Sequence, residues 1–461
     1  MNGMNQDPID LLPEILVLLG AVVGLLIGLV RARDRQRVVA WVCGLFLVAA
    51  MVATVVPRAY TLAFDSYRVD LLTNVTRGVV AFSTLLVVVL AAGWARLHER
   101  ETEVYTLLLL AALGTIMLAG ADDLLVLVAA YLLASLPAYT LAGFAKDRLG
   151  TEAALKYYLM GAFLGVLMLA GVTLVYGLSG VTGYAALGER LKDAPAPAVA
   201  VAVVALMAGL LFKMGAVPAH FWVPDVTQGS TRVVAAFVTT VPKIGAFVAL
   251  YRLAQEVLLH TGVDWRLLLA VVATATMTLG NLAAFHQDDV RRLLAYSTIS
   301  QAGYLLLPVV VVGRSDLALP GLLFYLAAYA ITNIGAFAVV VAAGTDSLAA
   351  YRGLSRRSPG LAISLAVCLL GLVGTPPTAV FVGKVMIFAG AWNGGYAWLA
   401  VAAVLNTVAS LFYYLRWLRP VFTRGEEAQA VQAKGAVAIA YLAAVLSLLL
   451  GLSSGLVLAI T

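Results

Sequence analysis

Fourteen apolar runs of roughly 20 residues follow one another along the chain, separated by short polar segments. They occupy residues 11–30, 38–56, 74–95, 104–120, 123–143, 155–177, 197–228, 231–252, 267–285, 293–313, 320–342, 361–391, 396–415 and 436–458. A helix of about 20 apolar residues crosses a hydrocarbon core about 30 Å thick. The pattern therefore predicts an all-α polytopic membrane protein with about fourteen transmembrane helices. The polar segments are too short for a soluble domain, so residues 1–461 read as a single integral-membrane domain.

The seventh and twelfth runs are too long for one straight helix, and both contain breakers: GAVPAHFWVPD (215–225) and GTPPTAVFVGK (374–384). Proline inside a helix frees backbone groups. In lipid such a break is tolerated only when protein or a wet cavity surrounds it. The two breaks are five runs apart. Spans 4–8 (104–252) and 9–13 (267–415) then form two five-helix units, each broken at its fourth helix. An odd number of helices gives the units opposite orientation, and paired broken helices in inverted repeats are a transporter architecture. Spans 1–3 (1–100) and a last span (436–461) flank the repeats.

Composition agrees. The chain is 62% hydrophobic and 12% charged, against about 25% charged in a soluble domain. The net charge of +6 sits in short loops between spans and points to no nucleic-acid partner. If the loop RARDRQR (31–37) is cytoplasmic and the sides alternate, that side holds 19 of the 30 Lys and Arg. The opposite side holds eight: Arg58, Arg68, Arg77, Arg190, Lys192, Arg252, Arg266 and Arg314. The positive-inside rule then places both termini outside. The acidic start MNGMNQDPIDLLPE resembles neither a secretory signal nor a transit peptide, and the expected location is a bacterial plasma membrane. Cys43 and Cys368 lie in apolar runs without a CxxC or His partner and read as small core residues.

The remaining three cations carry the chemistry. The chain has 23 Arg and only 7 Lys, yet the basic residues deep in apolar runs are Lys213, Lys243 and Lys384, and none is Arg. Placing a cation at a bilayer centre costs about 2.5–3.5 kcal/mol on insertion scales. Arginine keeps its proton in a protein, whereas a buried lysine can exchange it. The three lysines are therefore candidate proton sites. His220, just after Pro218, is a candidate relay or a structural hydrogen-bonding group, since imidazole titrates near pH 6.5. Asp225 reads as a loop cap at the cytoplasmic end, with proton entry as the alternative, and Asp122 and Asp123 as solvated. Tyr157, Tyr304, Tyr413 and Tyr414 read as packing or interface aromatics. His98, His260 and His286 have no metal-ligand spacing. No GxGxxG follows a strand, and there is no P-loop or iron–sulfur cysteine set. The chain is expected to bind no NAD, flavin or cluster itself.

Several long blocks are similar, in order, to the antiporter-like membrane subunits of respiratory complex I: LLFKMGAVPAHFWVPDVTQG (210–229), TTVPKIGAFVALYRL (239–253), GNLAAFHQDDVRRLLAYSTISQAGYLLL (280–307), GTPPTAVFVGK (374–384) and LNTVASLFYYLRWLRP (405–420). Also similar are 123–144 and 151–180, so the resemblance covers roughly residues 100–420. The PD-V-QG and VPKI blocks resemble the subunit N branch most. The resemblance implies that Lys213 matches the lysine of the broken seventh helix, Lys243 the eighth-helix lysine linking two half-channels, and Lys384 the lysine of the broken twelfth helix. It also implies a hydrated polar axis at mid-membrane and contact with neighbouring membrane subunits. Two positions depart. The family's fifth-helix glutamate, partner of the seventh-helix lysine, is Leu132 here, and a tenth-helix histidine is Gln301.

The expected function is proton translocation within an NADH:quinone oxidoreductase, as a subunit of that translocase with no redox chemistry of its own. NADH, FMN, iron–sulfur clusters and quinone would belong to other subunits. The alternatives are a paralogous cation/proton antiporter on the same scaffold, or a non-conducting scaffold subunit that has lost the fifth-helix glutamate.

Overall fold

A computed structural model of the chain describes residues 7–32, 36–55, 61–94, 100–424 and 433–455. His98, Arg58 and the two extreme termini lie outside the described residues.

The fourteen apolar runs are helical among the described residues, apart from the breaks in the seventh and twelfth. Among the described residues, thirteen helices are long and apolar enough to cross a membrane, from Pro8–Val30 to Lys434–Leu452. The twelfth run is instead two shorter apolar helices, Pro359–Val373 and Ala379–Asn393. The seventh run is Ala196–Met214 followed by Trp222–Gly229. Both breaks thus fall where the prolines predict.

The eighth, tenth and eleventh helices, Arg232–His260, Val290–Val310 and Ala318–Ala343, are the most buried and form the centre of the bundle. The first, second, sixth and last helices are largely exposed and present apolar side chains outward, as helices facing lipid or a neighbouring subunit must. Five of the spans have locally fixed starts. Asp123, Asp147, Thr231, Asp264 and Asp289 each cap a helix N-terminus with a side-chain oxygen, which satisfies otherwise free amides.

The two five-span units repeat these devices. Asp123 caps the fifth span and pairs in an antiparallel bridge with Gly183; Asp289 caps the tenth and pairs likewise with Ser347. In the first unit Leu124 N donates to Thr182 O and Tyr184 N to Asp122 O. In the second, Val290 N donates to Asp346 O and Leu348 N to Asp288 O. Each unit's second helix is thus stitched by backbone to the loop between its third and fourth helices. The last helix locks the second break from outside: a Cβ on Gly451 would lie 2.0 Å from Pro377 O, so only glycine permits this approach.

The end that carries the start of the first span is more ordered than the sequence suggested. A hairpin of β1 (Thr61–Ala63) and β2 (Tyr67–Val69) lies there, in a stretch read only as a loop. Asp122 is buried rather than solvated, and Asp123 is half-buried. Asp122 is 3% exposed and pairs with Arg68 at 3.0 Å. Asp123 accepts from Leu125 N at 2.7 Å and from the Thr182 hydroxyl at 2.5 Å.

Nor are lysines the only cations buried in spans. Arg77 lies within Leu71–Trp94, is 1% exposed, and donates to both carboxylate oxygens of Glu14 at 2.7 Å. Arg252, 2% exposed near the end of the eighth helix, grips Asp70 with bonds of 2.7 and 2.9 Å and donates to Ala119 O at 3.0 Å. Burial alone would raise the Asp70 carboxyl, but hydrogen bonds from Arg252 and Thr73 outweigh it and hold the group below its usual range. Breaking one partner of such a buried pair costs about 3–5 kcal/mol. The Arg77–Glu14 pair fastens the first span to the third, and the Arg252–Asp70 pair fastens the N-terminal spans to the first repeat.

Candidate functional site

In each broken span, an N-terminal half-helix ends on a left-handed glycine, Gly215 (φ 71°) or Gly374 (φ 93°), and the chain passes through proline before resuming. A helix end leaves backbone carbonyls without intrahelical partners, and inside a bundle these need donors. In the seventh span, Phe212 O accepts from the capping Gly215 N at 3.0 Å, and Trp222 of the second half adds its indole N–H at 2.9 Å. In the twelfth, Lys384 of the second half returns its ammonium to Val373 O at 2.8 Å and Leu372 O at 3.3 Å.

All three candidate lysines are buried, with exposures of 0% for Lys213, 1% for Lys243 and 2% for Lys384. Lys213, on the last turn before its break, donates to Ser135 Oγ at 2.5 Å and lies 5.1 Å from the Tyr131 ring and 5.9 Å from the Tyr139 ring. Ser135, Tyr131 and Tyr139 share one face of the fifth span by their four-residue spacing. Lys243 lies at the centre of the eighth helix against the first break. A Cβ on Gly215 would lie 2.8 Å from its Nζ, and the Trp222 ring is 5.8 Å away. Its Nζ has no hydrogen-bond partner among the described residues. Lys384 sits 4.1 Å from the Tyr304 ring and 3.4 Å from Thr407 Oγ1.

Between these points runs a buried series of hydroxyls and amides. Asn333 donates to Thr240 Oγ1 at 2.8 Å, and Tyr329 to Thr239 O at 2.9 Å and Thr298 Oγ1 at 3.1 Å. Gln301 donates to Leu372 O at 2.9 Å, the same carbonyl Lys384 contacts, and accepts from the Tyr325 hydroxyl. Ser297 bonds Tyr414, and Tyr413 donates to Asn281 Oδ1 at 3.1 Å. The tyrosines read as packing groups are therefore packed and, except for Tyr157, hydrogen-bonded as well. Tyr157 stacks on Trp222 at 4.2 Å, and its hydroxyl has no partner among the described residues.

His220 lies in the turn between the halves of the seventh span, 5% exposed, with Nδ1 unpartnered among the described residues. Asp225 is not a loop cap. It sits in the second half-helix and pairs with Lys156 at 2.7 Å and Arg292 at 2.9 Å, joining the sixth, seventh and tenth spans. Leu132 faces away from Lys213, 45% exposed on the outer side of the fifth helix; the inward position that meets the ammonium is Ser135. Gln301 belongs to the Lys384 end of the series. His260 and His286 are remote from it, in an outer 3-10 turn and in the loop before the tenth helix.

The charge arrangement has a rule. The two buried arginines among the described residues, Arg77 and Arg252, each hold a carboxylate. The three buried lysines enter no ion pair among the described residues; their contacts are hydroxyl, carbonyl and aromatic. Sequence reasoning missed Trp222 and Ser135. Their only signal was position, one seven residues after Gly215 and the other beside Pro137 in the fifth span.

A model of the NADH:quinone oxidoreductase/Mrp antiporter transmembrane family matches residues 121–410. NADH-quinone oxidoreductase subunit N 1 of Streptomyces griseus is 52% identical over 461 residues, covering 99% of this chain and 98% of the relative. Subunit N of a Mycobacterium species is 50% identical, with 97% of each chain covered. Among solved structures, a chain of respiratory complex I from Thermus thermophilus with bound aureothin superposes with a TM-score of 0.84 at 34% identity, covering 97% of this chain and 98% of that one. A chain of the Mrp complex from Dietzia has a TM-score of 0.83 at 22% identity and covers 98% of this chain and 96% of its own length, a likeness of fold alone. This chain belongs to the NADH:quinone oxidoreductase/Mrp antiporter family of membrane proteins, in its subunit N branch.

Proposed function

We propose that this chain is a proton-translocating membrane subunit of an NADH:quinone oxidoreductase, and that Lys213, Lys243 and Lys384 carry the proton. The carrying observation is the allocation of buried charge: arginines with carboxylates, lysines without. A buried ammonium lacking a counter-ion is expensive. Its neutral and charged forms can then lie close in free energy, as a relay requires. Moving one charge against 100 mV costs about 2.3 kcal/mol, a scale that modest changes around a lysine can supply. Protons would pass along the hydroxyl and amide series between the lysines, with His220 beside the first break as a further relay. NADH oxidation, flavin, iron–sulfur and quinone chemistry would reside on other subunits, in contact with this chain's outward apolar faces. The loop charges support an orientation with both termini outside, and a bacterial plasma membrane is the proposed location.

The absence of a carboxylate beside Lys213 also supports a second reading, a scaffold subunit that no longer conducts. One experiment separates them. In native-like vesicles with normal complex abundance, Lys243→Met, which keeps length and packing, is expected to lower proton pumping per NADH oxidised. Lys243→Arg is expected to fail as well, because a fixed charge cannot cycle its proton. Unchanged pumping in both variants would establish the scaffold reading.

A further inference from the structure

A groove on the outside of the bundle, remote from the lysine series, combines three features. It lies between the second, third and last spans, encloses about 520 Å³, and has mostly apolar walls. Small residues, among them Gly44 and Gly93, make those walls close-fitting, and the exposed Trp41 flanks it. Arg37 and Lys434 line it too. Each is the first residue of its helix, Arg37–Val55 and Lys434–Leu452. Two cations and two helix N-termini, whose free amides carry partial positive charge, therefore meet at one end. Neither cation is in an ion pair among the described residues, and Ala433 supplies no side-chain cap to the last helix.

The depth of the groove selects its occupant. From Arg37 to Val48, both lining residues, the second helix rises about 16 Å at 1.5 Å per residue. That is close to half of a hydrocarbon core about 30 Å thick. A cleft one leaflet deep, apolar along its length and doubly cationic at its mouth, matches an acyl chain bearing an anionic headgroup. A transmembrane helix would need twice the depth and would gain nothing from the charges. We propose that this groove is a binding site for one anionic glycerophospholipid of the surrounding bilayer. Its phosphate sits at Arg37, Lys434 and the two helix starts, and an acyl chain lies along Trp41, Gly44 and Val48.

The assembled complex, purified in mild detergent, provides the test by native mass spectrometry and lipid analysis. Arg37→Gln with Lys434→Gln changes only exposed side chains and is expected to lose one tightly held anionic phospholipid per complex, with subunit composition unchanged. Gly44→Leu, which fills the groove and keeps both cations, is expected to lose the same lipid. Wild-type complex stripped of lipid should take up phosphatidylglycerol in preference to phosphatidylcholine, and inorganic phosphate should not compete. An unchanged lipid count in the charge variant would overturn the proposal. So would equal uptake of the two lipids, displacement by inorganic phosphate, or a neighbouring protein helix occupying the groove in a structure of the complex.

Discussion

The two broken spans solve one problem with different residues. Each half-helix ends on a left-handed glycine and leaves carbonyls that the bundle must satisfy. In the seventh span the Gly215 amide and a neutral indole, Trp222, share that task, and Lys213 is left to meet a single hydroxyl, Ser135. In the twelfth the lysine itself is the donor, and its ammonium rests on Val373 and Leu372 carbonyls. The lysine precedes the break in one case and follows it in the other. On the proposed function, proton exchange at Lys213 would leave the helix end intact, whereas at Lys384 it would alter the groups that hold the break together. The first lysine is separate from the support of its break; the second is part of that support.

The sharpest way to break this comparison is to delete each lysine in turn. Lys384→Met is expected to lower pumping about tenfold, equivalent to about 1.4 kcal/mol of barrier, and to destabilise the subunit by about 1–3 kcal/mol through an orphaned Val373 carbonyl. Lys213→Met is expected to lower pumping as far without that loss of stability, because Trp222 still serves the break. Proton flux in proteoliposomes and thermal melting of the purified complex read the two effects separately. Equal melting shifts for both variants would remove the distinction.

A smaller effect is expected from Trp222→Phe, which keeps the stack on Tyr157 but removes the indole donor. About 1 kcal/mol of stability should be lost, with pumping reduced less than in Lys213→Met. If melting is unchanged, the Phe212 carbonyl does not depend on the indole. The smallest change is Ser135→Ala, which removes one neutral acceptor from Lys213. Pumping should fall a few-fold, in line with about 1 kcal/mol for one hydrogen bond, and melting should hardly move. A loss as large as that of Lys213→Met would mean that the hydroxyl is itself an obligatory link in the conducting series.

Much of this arrangement was legible in the amino-acid sequence, because membrane physics leaves few choices. Runs of about 20 apolar residues become helices, and the proline clusters at 215–225 and 374–384 mark the breaks. The lysines stood out because their placement is costly. What remained hidden depends on which face of a helix meets which neighbour. Leu132 and Ser135 are three residues apart, yet one is on the outer surface and the other touches Lys213. Trp222 looked like an ordinary aromatic until the fold brought it back to Phe212. Arg77 looked like a loop residue because its neighbours Thr73, Asn74 and Thr76 are polar; its partner Glu14 is 63 positions away. Asp122 gave no sign that Arg68 would bury it. Pairings between distant segments carry no periodic signal.

The close approach of Gly451 to Pro377 makes the last helix a wedge rather than a tail. Its inner surface is a mould for the second break, and any side chain at 451 would push directly on the turn beside Lys384. Synthesis order adds a consequence. The turn at 374–378 leaves the ribosome more than seventy residues before Gly451. Until that last segment inserts, the break has no backing on this side. The subunit therefore completes its second lysine site only when the final helix arrives, and an interrupted chain lacks the support rather than merely the end.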